Sequence, residues 1–407
     1  MLAYFKKFDY RLWILAGGWV ASSVGFSLAI PFVSLYFHSD LGISLTGIGV
    51  FFGISAIVRS IFQAIGGELS DRVGRYPLMV FSQLARSVTF WLIALSISHG
   101  WGFYNIAGLI ILNSIFGALF QPAANATVAD LVSKEQRTEG YSIVRVGGNL
   151  GWAIGPAVGG FIAAKSYAML FVFSGAMTLI SGLVFALFLR GIKRAEYNEE
   201  KFSFKEIFVW KGNELILKHA TLVFVLYLVA SQFIAPFSLY SVDFMGISKE
   251  QLGFLFTLNG LMVTFLQIPV TKALGRMKLT IQLAIGALIY AVGYQWIGFN
   301  STFVAFIIGI ATITIGENFV SPPALAISAN LAPKGRIGRY MGIYGFAVTA
   351  GWSLGPSFGG MLLDWARPSF LYAWSIIAIM ALIPSIGFMG MTRRIPAELN
   401  LRKSPNK

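Results

Sequence analysis

The chain has no cysteine, only three histidines and few charges. Without cysteine there are no disulfides and no thiol chemistry. His38, His99 and His219 do not recur at metal-ligand spacing, so no metal site is expected. No nucleophile motif and no paired acids stand out, and no phosphate-cradling G-x-x-x-x-G-K-S/T run is present. An enzyme is therefore not expected. Charged residues make up 12% of the 407 positions, against about 25% in a soluble domain. That shortage excludes an ordinary soluble protein. A hydrophobic content of 56% excludes a disordered chain. What remains is an all-α polytopic membrane protein.

A spanning helix takes about 20 residues, so the chain has room for roughly a dozen. Apolar stretches predict helices near 12–37, 45–65, 77–97, 104–127, 141–164 and 168–189. A second set follows near 221–242, 251–270, 280–299, 302–328, 340–363 and 369–391. The first stretch is too long for a signal-peptide core, and no clear cleavage site follows it. The halves are then 1–190 and 221–407, joined by a polar linker over 191–220. In that linker Phe202, Phe204, Ile207, Phe208 and Trp210 alternate with Lys205 and Glu206. The pattern fits either a short helix on the membrane surface or a frayed connection.

The net charge of +14 has a topological explanation. With the N-terminus on the cytoplasmic side, 25 of the 31 basic residues fall on that face. They include Lys6, Lys7 and Arg11, the pairs Arg72/Arg75 and Lys134/Arg137, the linker cations and a basic tail from Arg393 onward. Lys165, Lys249 and Arg367 face the other way. Arg59, Arg86 and Arg145 lie inside helices. Both termini are thus expected in the cytoplasm. The charge marks a lipid bilayer, not a nucleic-acid partner.

The chain also repeats itself. Gly151-Trp152-Ala153-Ile154-Gly155-Pro156-Ala157-Val158-Gly159-Gly160 returns as Gly351-Trp352-Ser353-Leu354-Gly355-Pro356-Ser357-Phe358-Gly359-Gly360. The same spacing pairs Pro122 with Pro322 and Leu131 with Leu331. Pro31-Phe32 and Tyr36 resemble Pro236-Phe237 and Tyr240 with a small slip. Two similar six-helix halves indicate duplication about an axis along the membrane normal. The glycines form small-xxx-small faces that let helices touch, and Pro156 and Pro356 remove a backbone donor. These runs are either a bendable seam between halves or helix packing alone.

After the second helix the chain reads Gly67-Glu68-Leu69-Ser70-Asp71-Arg72-Val73-Gly74-Arg75. Glycines would allow close approach there, and Asp71 could face a helix N-terminus. Arg75 could pair with Asp130, giving a latch that breaks in one conformation. The alternative is an ordinary charged turn. This loop resembles motif A of the major facilitator superfamily. The glycine-proline runs resemble motif C of its drug/proton antiporter group. The resemblance covers nearly the whole chain. It implies two six-helix bundles, alternating access and export. The second-half copy of the loop, Val270 to Arg276, is degenerate, with Lys272 where the acid would stand. Any latch should therefore be asymmetric.

Ionisable residues inside the bilayer are costly, at about 2.5–3.5 kcal/mol each at a helix centre. Arg59, Arg86, Arg145 and Glu317 must face the interior, water or one another. Glu317 could carry a coupling proton, with Asp243 and Asp40 as weaker candidates. It could instead form a permanent ion pair with an arginine. Arg59 and Gln63 lie one turn apart, as do Arg145 and Asn149, and both pairs could line a substrate cavity. Aromatic candidates for that cavity are Tyr36, Phe120, Trp152, Tyr240, Trp352 and Tyr344. The resemblance makes the third helix peripheral, so a structural role is expected for Arg86. The family group often carries an acid in the first helix and an arginine in the fourth. Both are missing here, so the usual relay cannot be transferred.

The expectation is a monomeric secondary transporter of a prokaryotic inner membrane, with no cofactor beyond a proton gradient. It would export hydrophobic or amphipathic small molecules. The alternative is a transporter of an anionic compound, in either direction.

Overall fold

A computed structural model describes residues 7–132, 137–191, 214–332 and 337–401. Every regular element among them is helical. In hydrocarbon a helix alone pairs all its backbone groups within one segment. The first half comprises α1 (Tyr10–Asp40), α2 (Leu45–Val73), α3 (Arg75–Ser98), α4 (Phe103–Leu131), α5 (Arg137–Lys165) and α6 (Tyr167–Phe188). The second comprises α7 (Glu214–Phe244), α8 (Lys249–Ala273), α9 (Leu279–Phe299), α10 (Phe303–Asn330), α11 (Ile337–Trp365) and α12 (Leu371–Met391). Ten of these are long and apolar enough to cross a membrane by themselves. The other two, α5 and α11, have 29 residues each and carry the glycine runs.

Local chemistry sets the helix starts. Asp9 accepts the Arg11 N–H at the head of α1. Ser166 alone separates α5 from α6 and accepts the Met169 N–H. Thr302 does the same for Ala305 at the head of α10. Each cap satisfies an otherwise orphaned donor. The linker stretch with alternating aromatics lies outside the described residues. From Glu214 onward the chain is helical, because α7 begins there and not near Thr221. Ile216, His219 and Ala220 there are buried, and that burial extends the helix.

The duplication is visible in the packing. α1 lies on α5 and α6, and α3 on α4 and α6. Likewise α7 lies on α11 and α12, and α9 on α10 and α12. Both α1 and α7 close in a π-helical turn, Tyr36–Asp40 and Tyr240–Phe244. Gly42 and Gly246 follow with φ of 66° and 71°, which lets the chain reverse. The copies differ at Ile234, whose backbone leaves the helical region and interrupts α7.

Two compact units result. The first is Met1–Ile43, Ile54–Glu199 and Gly246–Leu261; the second is Ser44–Gly53, Glu200–Met245 and Met262–Lys407. These are not the sequence halves, because α2 and α8 each divide between units.

The glycine faces account for much of the packing within each unit. A Cβ on Gly155 would sit 1.9 Å from Ser27 Oγ, and one on Gly159 2.5 Å from the Leu28 carbonyl. Gly151 meets Ser23 and Val24 in the same way. In the other unit Gly351, Gly355 and Gly359 meet Phe224, Ser231 and Gln232. These are contacts of α5 with α1 and of α11 with α7. The glycines of the runs thus pack mostly inside each half, while the same runs also touch a helix of the other half, so packing and seam coexist. Gly160 lies against the first turn of α8 and Gly360 against that of α2, with Pro156 and Ala153 facing Gly253 and Gly260, and Ser357 facing Gly49. The helix assignment continues through Pro156 and Pro356.

Gly67 has open space where Gly66 presses on the Leu119 backbone. The two sites therefore separate packing from helix propensity. Gly155→Ala should destabilise the protein by about 1–3 kcal/mol through overpacking. Gly67→Ala should leave it unchanged or stabilise it by about 0.5–1 kcal/mol. Thermal unfolding of the purified protein should shift in opposite directions for the two variants. Equal shifts would contradict the packing assignment.

Candidate functional site

The motif loop collapses to a single residue. α2 ends at Val73, α3 starts at Arg75, and Gly74 joins them at φ 109°. Only glycine tolerates that conformation easily. The tight join places Arg75 Nε against Asp130 Oδ2 on α4, with the two side chains 14% and 16% exposed. Arg75 is the first residue of α3, at the positive end of its dipole. Asp130 is in the last turn of α4, at the negative end. Each charge opposes its own helix and is held there by its partner. Arg72 is exposed in the last turn of α2, where a cation is favoured. The side chain of Asp71 lies outside the described residues.

In the second half the position 200 residues after Asp130 is Asn330. Its amide donates to the Leu399 carbonyl. The tail it touches is folded: Asn400 is fully buried and accepts the Thr280 N–H, while Leu279 N–H donates to the Asn400 carbonyl. The expected asymmetry thus has a concrete form. One half holds an ion pair at this position, and the other anchors its C-terminal segment.

At the opposite end of α2 a second contact of the same kind occurs. Asp364, in the last turn of α11, accepts hydrogen bonds from Thr46 N at 2.8 Å and Thr46 Oγ1 at 2.7 Å. Arg367 lies 3.8 Å from the same carboxylate. Ser357 Oγ donates to the Gly49 carbonyl one turn further along. Sequence reasoning missed Asp364. Its equivalent in the first half is Ala164, so the repeat gave no signal. The one available clue was an isolated acid in a chain with only 17.

A cationic cluster occupies the first unit. Phe26 of α1 carries the Arg59 guanidinium at 5.9 Å and that of Arg86 at 5.7 Å, and meets Trp152 of α5 edge-on. Arg59 Nη2 donates to Gln121 Oε1. Arg86 is 5% exposed, donates to Ser22 Oγ and also lies against Phe90. Gln83 donates to the same Ser22 hydroxyl. Among the described residues neither Arg59 nor Arg86 has a carboxylate partner. A structural role is expected for Arg86, and its side chain is buried against Ser22 and Phe90. That side chain passes over Gly117, where an added Cβ would lie 3.4 Å from Nε, in ordinary contact.

The second unit carries the opposite chemistry at the equivalent place. Position 317, the counterpart of Gly117, is a half-buried glutamate on α10. Tyr290 and Tyr294 of α9 lie within its electrostatic range, and Tyr227 of α7 within that of Tyr290. Tyr227 Oη is 3.5 Å from Tyr344 Oη, and its ring meets Trp352 of α11. Sequence reasoning found Glu317, Trp352 and Tyr344 but missed Tyr227, Tyr290, Phe26 and Gln121. No motif marks them; only packing brings them together.

The Major Facilitator Superfamily model matches residues 15–281 and again 220–406. The chain belongs to the major facilitator superfamily. It is a transporter and not an enzyme. The Bacillus subtilis (strain 168) protein named Uncharacterized MFS-type transporter YttB is 29% identical over 86% of this chain and 88% of its own. Multidrug resistance protein MdtH of Photorhabdus laumondii is 23% identical over 93% of this chain and 92% of its own. The crystal structure of a peptide transporter POT with sulfate shares the fold, with a TM-score of 0.77 over 96% of each chain at 16% identity.

Within this major facilitator fold several cavity candidates are core residues. Tyr36 is 6% exposed against Tyr167, and Phe120 is 4% exposed between Trp19 and Phe185. Tyr240 is 3% exposed, with Trp374 and Phe370 around its ring. Large rings gain more from such burial than from an open surface. Gln63 and Asn149 are half-buried, and Arg145 is exposed. Asp243 sits in the π-helical turn of α7.

The Arg75–Asp130 pair predicts an unusual double-variant result. Arg75→Asp or Asp130→Arg alone should lower the melting temperature. The combined swap restores the pair and aligns both charges with their helix dipoles, at about 0.3–1 kcal/mol each. Its melting temperature should meet or exceed the wild-type value. A swap as unstable as either single variant would show that this contact does not govern stability.

Proposed function

We propose that this transporter exports hydrophobic or amphipathic small molecules in exchange for protons. The observation that carries the reading is Glu317, a half-buried membrane carboxyl set among tyrosines on neighbouring helices. A carboxyl that binds and releases a proton changes its charge, and in a low-dielectric interior that change alters which conformation is favoured. Two breakable contacts at the ends of α2, Arg75–Asp130 and Thr46–Asp364, supply states to choose between. The name of the relative MdtH supports a drug-like substrate. Trp152 and Phe26 would offer apolar contact to it. The protein is read as a monomer in a bacterial inner membrane with both termini in the cytoplasm, in keeping with the distribution of basic residues.

Proteoliposomes with an imposed pH gradient test the coupling. Glu317→Gln should abolish gradient-driven transport while substrate counterflow continues, because exchange needs no net proton movement. Gradient-driven transport with unchanged pH dependence would refute the role of Glu317.

A second reading is favoured by Arg59 and Arg86, two intramembrane guanidiniums without described acid partners. They would suit an anionic substrate. Competition separates the two readings: cationic dyes should compete in the first case, and carboxylates or phosphates in the second.

A further inference from the structure

At the end of α7 where Lys218 lies, a groove of about 420 Å³ opens between α7 and α12. That volume is in the range of a small-ligand site. We propose that it binds one anionic phospholipid, with the phosphate between Lys218 and Arg394 and an acyl chain running along the groove.

The chemistry is graded along the helix axes. Lys218 is in the second turn of α7, and Arg394 follows the end of α12 by three residues. Both are exposed, and among the described residues neither has a carboxylate partner. Further in, the lining is apolar: Leu222 from α7 and Gly387 from α12. Four residues of helix separate Lys218 from Leu222, about 6 Å. A charged mouth over an apolar slot at that distance matches a phosphate joined to an acyl chain.

The slot stays open where one side chain is missing. Gly387 is filled by Leu222, whose methyl would lie 2.4 Å from an added Cβ. Gly390, one turn on, has nothing within 4 Å and leaves the groove open. The neighbouring face of α12 is exposed and apolar, with Ile379 at 61%, Ile383 at 52% and Ile386 at 72%. Such a surface suits hydrocarbon, so the groove would be entered from the bilayer side. Paired basic residues at a membrane boundary favour anionic over zwitterionic headgroups.

The test uses the purified full chain in detergent with dioleoyl phosphatidylglycerol, and native mass spectrometry counts the retained lipid. Wild type should hold one such lipid in preference to dioleoyl phosphatidylcholine. Lys218→Gln with Arg394→Gln should weaken retention about thirtyfold, the factor for two basic residues near a membrane surface. Gly390→Trp should also abolish it, with both charges intact, because the ring would occupy the open groove beside Gly390. Arg393→Gln removes an exposed cation outside the groove and should change nothing. Retention unchanged in the Gln pair or in Gly390→Trp would overturn the proposal. So would an equal loss with Arg393→Gln, which would mean diffuse attraction. Displacement of the lipid by glycerol phosphate alone would make the site a phosphate site and would likewise overturn it.

Discussion

Lipid tails are as apolar as leucine, so helices in a bilayer gain little from merely hiding apolar surface against one another. They associate when their backbones come close enough for dense packing. Here that closeness is set by absent side chains. Gly155 leaves only enough room for Ser27, and Gly355 only enough for Ser231. Through these contacts α5 is fitted to α1 and α11 to α7. The polar clusters depend on the same closeness. Phe26, one turn from the Ser23 contact, can meet Trp152 only because α1 and α5 approach so tightly. Trp352 reaches Tyr227 by the equivalent route.

A second regularity concerns helix ends. Asp130 and Asp364 both lie in the last turn of a helix, where their own dipole disfavours them. One is offset by Arg75, the other by the first turn of α2. Neither acid is comfortable without its partner, so these contacts suit reversible closure better than permanent bracing. The duplication supplied two scaffolds, and the chain has since given them different charges. Gly117 admits a guanidinium in one, while its counterpart Glu317 brings a carboxyl to the other.

What could be read from the residues follows from scarcity and period. Twelve helices were legible because charges are so few that each apolar run stands out. Arg75–Asp130 was legible because an exceptional loop pointed to a neighbouring acid. Asp364 was not, since its partner Thr46 lies 318 positions away and only packing joins them. The partners of Arg86, Ser22 and Phe90, were hidden for a similar reason: which side chains a buried face meets depends on its neighbours. Tyr36, Phe120 and Tyr240 are buried here, a placement the sequence leaves open because a ring on an apolar helix reads alike whether it faces a cavity or the core. The break at Ile234 leaves no pattern that distinguishes it from the continuous counterpart in α1.

The folded tail has a consequence for biogenesis. The head of α9 is capped by Asn400, 120 residues downstream of Thr280. During synthesis α9 must enter the membrane long before that cap exists. Its first turn remains without this cap until Asn400 has left the ribosome. The second half therefore gains this contact only once residue 400 has been made, whereas the first can close its Arg75–Asp130 contact while the second half is still being made.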